Sequence, residues 1–197
     1  MYKDPPVWDR INSFALVTYI PEPLAGFLDR LRQELVTNCF LRAHVTMLPP
    51  RPLTSTSEAA WEVVKSLVPR FAPFDIQLGN IEVFPVSDVI YVNVIQGSGE
   101  LKQMHAALNV DGLKRNEDFP YHPHVTVAQE LKSDEVDELV SVARRRWAEL
   151  NSPKTFRAEK MIFVQNTRRN QWVDLGECEL GRGESKLVGE LTDLLVG

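Results

Sequence analysis

The sequence is poor in several things that would have pointed to familiar classes. It holds two cysteines, Cys39 and Cys178, with no CxxC or Cys/His spacing. That excludes a disulfide framework or a zinc ribbon, and both residues read as small buried hydrophobes of a reduced protein. There is no excess of positive charge: 22 Lys and Arg stand against 27 Asp and Glu, a net charge of −5. A general nucleic-acid coat is thereby excluded, although a local basic pocket for a phosphate or an RNA end is not. Long apolar runs are missing as well. The run Phe14 to Ile20 is too short to cross a bilayer, and no cationic segment precedes it as in a signal peptide. The expectation is a cytoplasmic protein with no membrane partner. No low-complexity linker interrupts the chain, and 197 residues at 44% hydrophobic content fit one folding unit with a substantial core.

What is present is an order of elements that occurs twice. Phe14 to Ile20 reads as a strand stopped by Pro21 and Pro23, and Leu24, Phe27, Leu28, Leu31 and Leu35 form a helical stripe. A strand from about Arg42 to Leu48 follows. Ser55 and Glu58 read as a capping box that opens a helix with Trp61, Val64, Leu67, Val68 and Phe71 inward, and a strand spans about Phe74 to Val83. The order then recurs. Val89 to Ile95 is a strand, Leu101, Met104 and Leu108 mark a helix from about Gly99 to Val110, and His124 to Ala128 is a strand. Ser133 is placed to cap a helix with Val136, Leu139, Val140, Ala143, Trp147 and Leu150 inward, and a strand spans about Phe156 to Val164. The repeats cover about 13–83 and 89–164 as two lobes of a single domain. A strand near Gln171 to Leu180 and a helix over 184–195, with Leu187, Val188, Leu191, Leu194 and Leu195 on one face, lie outside them.

The middle strand of each repeat carries the same tripeptide, His44-Val45-Thr46 and His124-Val125-Thr126, eighty residues apart. Side chains at i and i+2 of a strand share a face, so each motif presents one imidazole and one hydroxyl together while its valine points into the core. Repeats pack on each other, which brings the two HVT strands together at the junction. Two imidazoles and two hydroxyls suit phosphodiester chemistry without a metal or other cofactor. A neutral imidazole takes a proton from the attacking oxygen, a protonated one gives a proton to the leaving oxygen, and the hydroxyls donate to non-bridging phosphate oxygens. Chance pairs of H-x-[ST] are not rare, but an identical middle residue in matching strands of a repeat is.

Other readings stay open. His122 shares a face with His124 and would suggest a metal site, but Pro123 breaks the strand between them and no carboxylate or Cys stands at ligand spacing. His105 reads as a flank of a packed helical stripe, and Arg168 with Arg169 as a hairpin tip. Arg42, Arg51, Lys114 and Arg115 surround the motifs and are candidates for a phosphate-facing rim, with solvated surface charge as the alternative. Tyr121 is a candidate for stacking on a base, with packing as the alternative.

The paired motifs in HVTMLPP and FPYHPHVTVA resemble those of the two-histidine (2H) phosphoesterase superfamily, in particular its bacterial 2′–5′ RNA ligase-like branch, over roughly residues 13–180. The resemblance implies an α+β, bilobal duplicated fold with antiparallel sheets lining a central cleft and helices outside. It implies metal-independent opening of 2′,3′-cyclic phosphates to 2′-phosphates and, in some members, reversible 2′–5′ ligation. On it, His44 and His124 become the acid/base pair, with His124 the base and His44 the acid, and Thr46 and Thr126 the phosphate anchors. The partner would be a nucleotide or an RNA 3′ end bearing a cyclic phosphate, bound by a monomer. One departure from the pattern is Ala128-Gln129-Glu130, where several RNA-processing relatives place an arginine. An acid there favours a small cyclic phosphodiester or short oligonucleotide end over a long RNA. A binding module that holds such a group without turning it over is the rival class.

Overall fold

The computed structural model describes residues 7–36 and 41–181. Cys39 and the expected C-terminal helix therefore lie outside the described residues. Eight strands and four helices follow in the order β1 (Arg10–Tyr19), α1 (Leu24–Leu35), β2 (His44–Arg51), α2 (Ser57–Leu67), β3 (Phe74–Val83), β4 (Ile90–Gln96), α3 (Ser98–Leu108), β5 (His124–Ala128), α4 (Val136–Ala148), β6 (Thr155–Ala158), β7 (Lys160–Thr167) and β8 (Trp172–Glu179). The strands form two antiparallel sheets of order β2-β1-β7-β8 and β5-β4-β3-β6, an α+β architecture with helices outside. Among the described residues no helix is long and apolar enough to cross a membrane.

The sheets do not coincide with the sequence repeats. β3 ends the first repeat but pairs with β4, while β7 ends the second and pairs with β1. The helices cross over in part too: α1 packs on β5 of the second sheet, and α3 on β2 of the first. Alternation explains which faces are covered. Val45 and Val125 are fully buried, and with Met47, Val127, Leu16, Phe163 and the helix residues Leu28, Val64, Leu101 and Met104 they belong to one continuous core. On the other face of the first sheet a separate small cluster joins Ala15, Val17, Ile162 and Val164 to Tyr19 and Trp172.

Three local expectations differ from the structure. The Phe156 to Val164 strand is two strands broken at Glu159, β6 in one sheet and β7 in the other. The cap of α2 is Thr56, whose hydroxyl accepts from the Ala59 amide, not Ser55. Ser133 does not cap α4; its hydroxyl donates to Asp88 instead, and the helix starts after Glu135. Cys178 is buried, as its residue type predicts.

Candidate active site

β2 and β5 are the edge strands of their sheets, and they lie against each other. Both show the same burial sequence over their HVT residues, histidine and threonine half-buried on one face with valine buried on the other. The two imidazoles are held alike. His44 Nδ1 lies 2.7 Å from the Arg42 carbonyl, and His124 Nδ1 lies 2.6 Å from the His122 carbonyl. A carbonyl only accepts, so each Nδ1 carries its proton, and each neutral ring keeps Nε2 as a bare acceptor.

An edge strand leaves outward carbonyls without a ladder partner. At both motifs the threonine carbonyl is satisfied from across the junction. The Tyr121 hydroxyl, from the segment leading into β5, donates to the Thr46 carbonyl at 2.7 Å. The Arg32 guanidinium, from the helix leading into β2, donates to the Thr126 carbonyl through Nε at 2.7 Å and Nη2 at 2.5 Å. The HVT strands are thus cross-bolted, each by a side chain from the other repeat.

Cross-strand neighbours give the two sides of the site different characters. Tyr19 and Val17 stand beside His44 and Thr46, whereas Asn93 and Tyr91 stand beside His124 and Thr126. On the first side the Tyr19 hydroxyl donates to Asp174 at 2.5 Å, and Arg42 lies over the Tyr19 ring while pairing with Asp174 at 3.2 Å. On the second side Glu82 accepts from the Tyr91 hydroxyl at 2.9 Å and from Asn93 Nδ2 at 2.6 Å. Gly79 makes room for this: a Cβ there would come within 2.1 Å of Asn93 Oδ1, which accepts from the Asn80 amide. Phe84 stacks on Tyr91 and meets the His124 ring edge-on at 5.1 Å.

Burial and neighbouring charge act on both imidazoles. Burial, then Arg32, with His124 and Arg42 adding to it, pulls the His44 pKa down to about 4, against the bond to the Arg42 carbonyl. His124 is lowered too, by burial first and then by His122 and Arg32, while its carbonyl bond opposes. At neutral pH His44 is uncharged, and His124 is biased the same way.

The other candidates divide. Arg42 stands beside His44, engaged with Tyr19 and Asp174. Arg51 is 1% exposed and donates to Pro49, Asn109, Leu113 and Glu117, so it faces the interior and not a rim. Arg115 donates to the Pro50 carbonyl and borders a cavity of about 380 Å³ with His105, Glu117 and Tyr121. Lys114 is exposed beside it. The Tyr121 ring stacks on His105 at 4.1 Å, which uses the ring for packing. His105, expected as a flank, also pairs with Glu117 at 3.0 Å. His122 lies 6.3 Å from His124, ring centre to ring centre, and among the described residues no three His, Cys, Asp or Glu converge as metal ligands. Arg32 escaped the sequence reading, although a signal existed. It lies four residues after Leu28 and eight after Leu24, a charge within an apolar stripe.

A family model, that of the 2′-5′ RNA ligase superfamily, matches residues 20–170, which include both motifs. A protein of Oceanobacillus iheyensis named "Putative phosphoesterase" is 30% identical over 80 residues, 40% of this chain and 46% of its own. A phosphoesterase relative of Halalkalibacterium halodurans, named in the same way, is 27% identical over 82% of this chain and 98% of its own. The fold is similar to that of Escherichia coli LigT in its apo form, with a TM-score of 0.60 and 14% identity over 87% of this chain and 98% of that one. LigT has also been solved with phosphate and with 3′-AMP. Because the family match spans most of the chain, this chain belongs to the 2′-5′ RNA ligase superfamily of two-histidine phosphoesterases.

Proposed function

We propose that the chain is a metal-independent phosphodiesterase that opens 2′,3′-cyclic phosphates on nucleotides or RNA ends, leaving a 2′-phosphate. One observation carries the reading: two imidazoles on touching edge strands, each with Nδ1–H fixed on a carbonyl, Nε2 bare, and a threonine hydroxyl two residues on. In the reaction one Nε2 takes a proton from water as the water oxygen bonds to phosphorus. The P–O3′ bond breaks, and the second ring, protonated, gives its proton to O3′. Thr46 and Thr126 donate to the non-bridging oxygens as their charge grows. Attack by a 5′-hydroxyl in place of water forms a 2′–5′ linkage by the same steps, which is the ligase reaction of the family.

By the resemblance His124 is the base that activates water and His44 the acid that protonates O3′. Burial disfavours the charged form of both rings, so their surroundings do not single out either one as the acid. The phosphate and 3′-AMP complexes of LigT support a phosphate-bearing nucleotide as ligand here. A second reading is a module that holds such a ligand without turnover, and burial, which disfavours the charged form of both rings, favours it. Hydrolysis of a 2′,3′-cyclic nucleotide and of a cyclic-phosphate-ended oligonucleotide in EDTA decides between the two. Wild-type turnover, lost by about 10³-fold or more in both His44→Ala and His124→Ala, is expected. Turnover that survives His124→Ala refutes the mechanism, and tight binding without product selects the module.

A further inference from the structure

Phe84 and Tyr91 stack with ring centres 3.9 Å apart and planes 15° from parallel, and this pair belongs to neither apolar cluster of the described residues. Tyr91 is 4% exposed and Phe84 is half-buried, so Phe84 is the member that solvent reaches. Two imidazoles stand at the edge of the stack. His124 lies 5.1 Å from the Phe84 ring centre and 5.4 Å from that of Tyr91, and His122 lies 5.4 and 5.5 Å from them. An aromatic pair left out of the core and set against a motif histidine is not explained by packing alone.

The backbone holds Phe84 in place. Its amide donates to the Val89 carbonyl at 3.0 Å, and its carbonyl accepts from the amides of Ser87 at 3.3 Å and Asp88 at 3.0 Å, which closes the turn between β3 and β4. The Ser133 hydroxyl, donating to Asp88, ties that turn to the segment ahead of α4. Tyr91 is fixed in its turn by the bond to Glu82. The Phe84 ring is thus set in advance, and a ligand that stacks on it loses little to ordering. Tyr91 takes one face of the ring and the imidazoles its edge, so the exposed part is available to a flat group. On the first side of the site the ring beside His44, Tyr19, instead carries the Arg42 guanidinium 3.6 Å from its centre.

We propose that Phe84 is the base platform of the site, the ring on which the nucleobase of a nucleotide stacks while its phosphate lies between the two HVT motifs. This role rests on the phosphodiesterase reading for the place of the phosphate. The 5.1 Å between the Phe84 and His124 ring centres is short enough for one nucleotide to reach both. Base stacking is the role for which Tyr121 was a candidate, but the Tyr121 ring is engaged with His105. The substrate is then a nucleotide, or the terminal nucleotide of an RNA, and not a base-free cyclic phosphodiester. Every base has a π face, so purines bind ahead of pyrimidines by overlap and no particular base is required.

The test compares two probes that share a sugar phosphate: adenosine 2′-monophosphate, and the same ribose phosphate with a methoxy group in place of the base. Calorimetry gives their affinities for the full chain as wild type, Phe84→Leu and Phe84→Trp. Wild type is expected to bind the nucleotide about tenfold or more tighter than the base-free probe. Phe84→Leu keeps an apolar side chain without a π face, and the advantage falls to about twofold, while Phe84→Trp keeps or widens it. In NMR spectra of the wild-type complex the adenine ring protons shift upfield under the Phe84 ring current, a signature that a packing role would not give. A wild type that binds the two probes alike, or binds neither, overturns the proposal, as does a folded Phe84→Leu with the full advantage. If Phe84→Leu fails to fold, unshifted adenine signals in the wild type overturn it. Turnover separates this role from the reading on which it rests. Binding that depends on Phe84, with no hydrolysis of a 2′,3′-cyclic nucleotide, keeps the platform and refutes the phosphodiesterase. Hydrolysis of the cyclic nucleotide and of a base-free cyclic phosphate at equal kcat/KM keeps the phosphodiesterase and refutes the platform.

Discussion

Arg51→Met separates the interior role of this arginine from a role at the rim of the cleft. The guanidinium donates to the Pro49 carbonyl at 2.9 Å, to Asn109 Oδ1 at 2.7 Å, to the Leu113 carbonyl at 2.8 Å and to Glu117 Oε1 at 2.6 Å. Methionine fills much of the volume but removes every donor. The Glu117 carboxylate keeps His105, and the other acceptors in this pocket lose their arginine donor. Breaking a buried ion pair by deleting one partner costs about 3–5 kcal/mol. A loss of about 4 kcal/mol would lower the Tm of a chain this size by about 8–16 °C. Urea unfolding should show the midpoint falling at constant m. The double variant Arg51→Met/Glu117→Leu should recover part of the loss, since no charge is then stranded. An unchanged midpoint together with weakened phosphate binding would refute the reasoning and return Arg51 to the rim.

Two further predictions concern the junction and its protons. Tyr121→Phe keeps the stack on His105 but leaves the Thr46 carbonyl without its donor, so urea unfolding should report a loss of about 1–2 kcal/mol. The lowered His44 pKa makes stability depend on pH: between its unfolded value of 6.5 and the folded value of about 4, the unfolded chain binds the extra proton. Stability should therefore fall as pH drops through that window, by up to about 3 kcal/mol from His44, and the slope should flatten there in His44→Ala. A wild-type curve with no slope between pH 6.5 and 4 would contradict the burial of this ring.

How much of this was legible in the sequence follows from which interactions are local. The bounds of β5 match the expected strand, because alternation and the proline just before it act within a few residues. The stripes of α1 and α4 were equally readable, whereas α2 buries Ala60 and Val64 and ends at Leu67, so Val68 and Phe71 of its expected stripe lie beyond the helix. Pairing partners were not. Nothing within residues 156–164 says that Phe156 will face β3 while Phe163 faces β1, since that is decided by strands about 80 and 150 residues away. Caps failed for a related reason: Ser55, Thr56 and Ser133 are all competent hydroxyls, and a one-residue choice depends on backbone angles. At the site, the meeting of the two HVT strands was plain from spacing, but Arg32 and Arg51 were hidden because charge is read as surface. Each is buried by acceptors that come from distant loops and strands.

The exchange of β3 and β7 between the sheets also governs the order in which the molecule can be made. The sheet that bears His44 has β7 and β8 as half of its strands, so Phe14 waits for Gln165 before its ladder is complete. During synthesis the first 83 residues would emerge with β1 short of a neighbour and β3 without its own. A fragment cut in the hairpin at 84–89 is therefore expected to be no independent half of the protein, because its exposed edges would seek partners on other chains. The His44 side of the cleft is begun first and finished last.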